Sequence, residues 1–271
     1  MAYQTYIPPP PLSDFVDMFW SYEGYDPPHS RERVVPTGTM QLIVNLREEE
    51  LRVYDRQDHR CSQSLGVSLI SGTHSRFAVI DTASQASTVG VHFKAGGAQP
   101  FLGVSAGEMR DANVPLDALW GTKATELRDR LLEAQTPEVR FGVLKRALLV
   151  QVTRPLTHHP AVAFALREFQ GMTRTRTVKE VSKRTGLSQR RFIQLFREEV
   201  GLTPKLFCRI RRFQEVIRLV GSERHVEWAE LALRCGYFDQ AHFVHDFRAF
   251  SGTTPTNYLA HRGEHPNHVP L

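Results

Sequence analysis

Cysteine is scarce: Cys61, Cys208 and Cys235 are the only three in a chain of 271 residues. An odd number, scattered and without metal-ligand spacing, argues against a disulfide framework and suits a reducing compartment. Long apolar runs are missing too. No stretch nears the roughly 18 apolar residues that a membrane helix needs. The first residues lack the basic-then-apolar pattern of a secretion signal. A cytoplasmic protein with no membrane partner is therefore expected. Metal-ligand patterns are also absent from the first half, where His29, His59, His74 and His92 include no His-x-His and no pair at ligand spacing. Neither a metal nor another cofactor is expected. Gly96 and Gly97 follow a predicted strand without completing G-x-G-x-x-G, which removes the usual phosphate cradle. No nucleophile–base–acid set is visible, so no catalytic residue is assigned and the chain is not read as an enzyme.

What is present is an ordinary globular composition with uneven charge. The length favours two domains. Residues 154–271 carry 19 Lys+Arg against 11 Asp+Glu, a net of +8, while residues 1–153 carry 15 against 18, a net of −3. A basic half beside a mildly acidic one suits a nucleic-acid module joined to a domain of another kind.

The basic half holds one pattern twice, at 177–212 and 227–262. At an offset of 50, Val178 matches Trp228 and Gly186 matches Gly236. After one inserted residue the offset becomes 51, and Phe192 matches Phe243, Phe196 Phe247, Gly201 Gly252, and Pro204 Pro255. A repeat this dense means that one supersecondary unit is used twice. Each copy reads as helix–turn–helix. The first helix ends at a glycine suited to the left-handed turn, and Ser188 or Asp239 caps the second. Phe192, Leu195 and Phe196 fall on one helical face and should be buried. Arg190, Gln194 and Arg197 then face outward, flanked by Arg191. In the second copy the outward positions are Ala241, His245 and Arg248, flanked by Gln240. Apolar residues beneath and Arg, Gln and His above are what a major-groove recognition helix requires. Thr203-Pro204 and Thr254-Pro255 read as N-caps followed by proline at the first helical position. The helix from Pro204 should connect the units, with a break at 221–224.

The segments GLSQRRFIQLFREEVGLTP and LALRCGYFDQAHFVHDFRAFSGTTPTNYLAHR resemble the double helix-turn-helix signature of the AraC/XylS transcriptional regulators, over about residues 158–262. That resemblance implies two recognition helices entering successive major-groove segments of promoter DNA, and contact with RNA polymerase. Val244 and His245 stand where the family's second recognition helix often carries a small polar residue and arginine, which leaves the bases read there open.

The first half is β-patterned from Val34 to Phe93, with candidate strands at 40–46, 51–54, 67–70, 77–80 and 89–93. Short strands separated by Gly, Asp and Ser turns suggest an antiparallel barrel or sandwich. Ser13 is expected to cap a short helix carrying Phe15, Met18, Phe19 and Trp20. GVHFKAGGAQPFLG, residues 90–103, resembles a segment of the cupin-like sensor domains of some AraC-type regulators. This weaker likeness implies an effector-sensing or dimerising domain without naming the ligand. Helices are expected at 122–134 and 137–152, the latter presenting Phe141, Leu144, Leu148 and Val152. They either cover the domain's own core or form a homodimer interface. Thr153–Pro160 reads as the interdomain linker, and His261, His265 and His268 as solvated residues of a proline-containing tail.

These readings give an α+β chain. Residues 1–153 form a cupin-like antiparallel β-barrel with flanking helices, 154–262 an all-α domain of two helix-turn-helix units, and 263–271 a tail. The expected function is a sequence-specific transcription regulator responsive to a small-molecule effector. Arg190, Gln194, Gln240 and His245 are the candidates for reading bases, and Arg191, Arg197 and Arg248 for meeting phosphates. A cupin-type metal- or sugar-binding protein or enzyme with an accessory helical domain is the alternative. A nonspecific architectural DNA binder is a third reading.

Overall fold

The computed structural model describes residues 2–47, 50–170, 177–222, 226–263 and 265–271. The strands are β1 (Ala2–Tyr6), β2 (Val16–Glu23), β3 (Arg31–Val34), β4 (Gln41–Asn45), β5 (Arg52–Tyr54), β6 (Ser62–Ser64), β7 (Ser68–Ser71), β8 (Ala78–Asp81), β9 (Ser87–Phe93), β10 (Asn113–Pro115) and β11 (His268–Pro270). They form two antiparallel sheets, β1-β2-β9-β4-β7-β10 and β11-β3-β8-β5-β6. The fold class is α+β as expected, with the strand pairings making two facing sheets.

Period-two alternation sorts the first sheet. Leu42, Val44, Val89, Val91, Phe93 and Phe19 point to one side, where they share a core with Leu127, Leu131, Phe141, Leu144 and Leu148. Gln41, Ile43, Thr88, His92, Trp20 and Tyr22 point to the other side and line an internal cavity. The helices on the first side are α1 (Gln99–Leu102), α2 (Leu116–Trp120), α3 (Thr122–Glu133) and α4 (Pro137–Val150). The pair α3 and α4 therefore covers the domain's own core. Val152, expected on the stripe of α4, lies beyond its end.

One expectation is overturned at the N-terminal end. Ser13 lies in a 3-10 turn, Leu12–Asp14, and the aromatic residues after it run into β2 instead of a helix. Both faces of β2 are covered, Phe19 by the helices and Trp20 by the cavity side. A doubly covered strand reads as an apolar run without alternation, which periodicity alone does not separate from a buried helix.

The basic half is helical: α5 (Pro160–Gln170), α6 (Val178–Arg184), α7 (Gln189–Val200), α8 (Pro204–Ser222), α9 (Trp228–Arg234), α10 (Gln240–Ser251) and α11 (Pro255–His261). Thr177 and Glu180 form a capping box at the start of α6. Ser188, Asp239 and Thr254 cap α7, α10 and α11 through their side chains. Thr203 Oγ1 accepts from Leu206 N at the start of α8. Gly221 and Ser222 belong to α8, so the break expected at 221–224 does not begin there, and its remainder falls outside the described residues.

The helical half docks on the β half at matching points of the repeat. α7 and α10 each end at a left-handed glycine, Gly201 (φ +88°) and Gly252 (φ +70°). A Cβ built on Gly201 would overlap Thr73 Oγ1, and one on Gly252 would overlap the Phe77 ring. Ser105 Oγ donates to the Glu198 carbonyl at 3.2 Å, and the ring of the linker residue His158 stacks on Phe15 of the β half at 4.9 Å while pairing with the Glu199 carboxylate of α7. The chain's last residues complete the joint. The expectation that the late histidines are solvated fails for His265 and His268, because β11 pairs with β3 of the second sheet. Val269 is buried in the helical core together with Val35 of the β half. The partner strand for such a short segment comes from distant sequence, so no local signal marks it.

Gly252→Ala should lower stability by roughly 2 kcal/mol, from left-handed strain plus the Phe77 overlap. Gly186→Ala, at φ +72° with open space around it, should cost about 1 kcal/mol. Equal losses in thermal unfolding would refute an interdomain contribution at Gly252.

Candidate nucleic-acid interface

Two capped helices present their first turns outward. In α7, Arg190, Arg191, Gln194 and Arg197 are exposed, while Phe192 and Phe196 are fully buried. In α10, Gln240, Ala241, His245 and Arg248 are exposed, above buried Phe243 and Phe247. The buried faces pack into one aromatic cluster per unit. Phe169, Phe192, Phe196 and Phe207 serve the first unit, and Phe213, Phe243, Phe247 and Tyr258 the second. Such packing holds each helix by its inner side and leaves its outer side free.

The candidates differ in how free they are. Arg190 and Arg191 sit in the first turn of α7, where helical N–H groups also favour an anion. Gln194 Nε2 donates to Glu198 Oε1 at 2.8 Å, so its amide must leave that carboxylate to meet a base. The stem of Arg197 lies beside Gly107 of the β half, near the docked end of α7. In the second unit, Asp246 is buried under α10 and takes both Arg209 Nη2 at 2.6 Å and Arg209 Nε at 3.3 Å. Arg209 belongs to α8, so this fork ties the connecting helix to the second recognition helix. His245 Nδ1 lies 3.6 Å and His242 Nε2 3.7 Å from the same carboxylate, which adds a negative charge behind the exposed imidazole of His245.

Sequence reasoning passed over Phe238. It is 87% exposed, directly before the cap Asp239. It occupies the stretch where the second copy gains its one inserted residue, and that insertion is the signal that would have singled it out. Cys208 and Cys235 behave as small core residues, and burial pushes the Cys208 thiol up to about 11.

A second candidate site is the cavity between the sheets, about 260 Å3 and lined by residues of both. Glu32 is fully buried beside it and accepts from Tyr25 Oη at 2.7 Å; His29 Nε2 lies at 3.3 Å and His268 Nδ1 at 2.6 Å. Burial pushes its carboxyl up, but these hydrogen bonds outweigh burial and hold it below the ordinary carboxylate value. His92, on β9 as expected, is pushed down to about 4 by burial. No group of three or more His, Cys, Asp or Glu among the described residues is placed to hold a metal ion. No helix among them is long and apolar enough to cross a membrane.

Two capped recognition helices, each set on its own aromatic core and joined through one long helix, define a double helix-turn-helix domain. Comparison with known proteins agrees. A family profile described as a helix-turn-helix domain matches residues 181–261, and one described as a domain of unknown function (DUF6597) matches residues 4–115. A probable transcriptional regulator, LumQ of Photobacterium leiognathi, is 27% identical over 139 residues, covering 50% of this chain and 56% of that protein. The chain thus spans about half the length of this curated relative. Among solved structures, ToxT of Vibrio cholerae overlays 96% of this chain and 98% of its own at 8% identity and a TM-score of 0.48. A probable AraC family regulator of Rhodopseudomonas palustris overlays 38% of this chain and 96% of its own at 26% identity and a TM-score of 0.33. Neither overlay is tight enough to carry an inference. The helical half of this chain thus carries a helix-turn-helix domain over residues 181–261.

Arg209→Ala strands the Asp246 carboxylate and should cost about 2–3 kcal/mol, somewhat less than a fully buried pair because the guanidinium is partly exposed. Arg209→Met combined with Asp246→Leu should recover most of that loss. Urea denaturation of the three chains checks both.

Proposed function

We propose that this protein is a sequence-specific, effector-responsive transcription regulator that acts by binding promoter DNA in the cytoplasm, and not an enzyme. The observation that carries the reading is the pair of exposed first turns on α7 and α10, held in one fixed relation by α8 and by the β half. Fixed spacing lets two helices read two major-groove segments about 34 Å apart. Arg190 reads guanine through O6 and N7, and Gln194 reads adenine once it releases Glu198. Gln240 and His245 read the second segment. Phe238 offers an apolar surface to a thymine methyl. Arg191, Arg197 and Arg248 meet phosphates, which fix register without reading sequence. The β half takes a small-molecule effector in its cavity, and RNA polymerase is the further partner that the domain type suggests.

Selection from a genomic fragment library at near-physiological salt tests the reading. Recovery of a few sites with two short blocks about one turn apart supports it. Uniform recovery would instead mean an architectural DNA binder. On the selected site, Arg190→Ala should cost roughly 1–3 kcal/mol and relax preference at one base pair. Arg191→Ala should weaken all sequences alike and reduce the salt slope by about 1. Titrations at several salt concentrations, against the site and its single-base variants, separate the two roles. Identical sequence profiles for parent and Arg190→Ala would sink the assignment of Arg190.

A further inference from the structure

The β half does not enclose its cavity alone. Residues 265–268, at the end of the helical half, supply part of the lining. The His265 imidazole sits among the rings of Tyr3, Tyr22 and Tyr25, at centroid distances of 5.7, 5.2 and 6.4 Å. The Tyr22 hydroxyl is bonded to His265 Nε2. On its other side the same segment is tied to the DNA-binding domain. Gln214 of α8 donates to Asn267 Oδ1 at 2.9 Å, and Tyr258 of α11 donates to the Pro266 carbonyl at 2.7 Å. Four consecutive residues therefore line the cavity, and two of them, Pro266 and Asn267, are also bonded to the second unit and to the connecting helix α8.

The cavity wall selects against charge. Glu32 is buried, and three side chains already occupy its carboxylate. Among the described residues Arg52 is the one arginine that lines the cavity, and it is exposed. His74 and His92 are both held by burial below the ordinary imidazole value and are neutral near pH 7. An ion placed inside, beyond reach of the solvent-exposed Arg52, would find no free counter-charge among the described residues, which is strongly unfavourable. Neutral hydrogen-bonding groups, by contrast, are available. Trp20 is 7% exposed and its Nε1–H has no partner among the described residues. Gln41 lies opposite His92 across the β4–β9 ladder, and the Trp20 and His92 rings are 5.9 Å apart. Ile43, Val53, Leu69 and Ile80 make the lining largely apolar.

We propose that this cavity binds an uncharged ring compound with a carbonyl or hydroxyl edge, met by Trp20 Nε1–H and the Gln41 amide. In this proposal residues 265–268 are part of the binding site, so occupancy is passed to the DNA-binding domain through this C-terminal strap. The inference rests on the regulator reading. It adds the ligand class and the element that couples the two halves, since a ligand shifts an equilibrium only through contacts that differ between states.

The test uses the full chain and three probes of one ring size: acetophenone, benzoate and benzylamine, titrated by calorimetry near pH 7. Acetophenone should bind, with the two ions weaker by about tenfold or more. Trp20→Phe and Gln41→Leu should each weaken acetophenone. So should His265→Ala, which leaves the backbone pairing of β11 in place, and a chain ending at Gly263, each checked for folding by its melting transition. Acetophenone should change the affinity of the parent for its selected DNA site by about fivefold or more, and leave that of His265→Ala unchanged. Equal binding of all three probes, or none by acetophenone, overturns the ligand class. Undiminished acetophenone binding by a folded His265→Ala chain overturns the composite wall. Selective DNA binding without any response to the probes rejects this proposal alone. Loss of DNA selectivity in every state rejects the regulator reading instead.

Discussion

Close approach of two helix ends to a β surface is the constraint on which the rest of this structure depends. Gly201 and Gly252 close the two recognition helices at equivalent positions of the repeat, and both meet the β half where a side chain would not fit. Left-handed backbone and lack of a Cβ are needed together at these two points. Because the C-terminal ends are docked, the N-terminal turns point away from the joint and stay open to solvent. One face of the domain is thus held while the other is left free for a polyanion.

Electrostatics and packing divide the work between the halves. Aromatic clusters under α7 and α10 set the tilt of each helix, and the Arg209–Asp246 fork ties the second helix to α8. Buried pairs of this kind fix geometry more reliably than they add stability. In the β half the polar groups turn inward. Glu32 gathers Tyr25 and His29 from the loop before β3 and His268 from the chain's end, two segments far apart in sequence. One of those segments is the C-terminal strap, so a single buried carboxylate joins the first fifty residues to the last ten.

The repeat made the helical half legible in the sequence. Its glycines, its caps at Ser188 and Asp239 and its Phe spacings are local signals, each tied to a short-range physical cause. Five strands were visible for the same reason, through β-rich runs bounded by turns. The misreadings share a different cause. Val16 to Trp20 belong to a strand because both faces are covered by distant elements. His265 and His268 are built into the β half because β3, more than two hundred residues earlier, supplies the partner strand. The tie of Gln194 to Glu198 is an i,i+4 pair that the sequence contains, yet only side-chain geometry chose it over solvent.

By itself, then, the sequence determined two helix-turn-helix units, their outward-facing residues, the basic character of that half, and an α+β chain. Periodicity, capping and glycine placement act within a few residues, so they can be read along a line. Tertiary structure alone decided how the halves meet, which residues wall the cavity, and that the final strand belongs to both. Those outcomes depend on pairing and burial between segments far apart in the chain, and linear spacing carries no record of them.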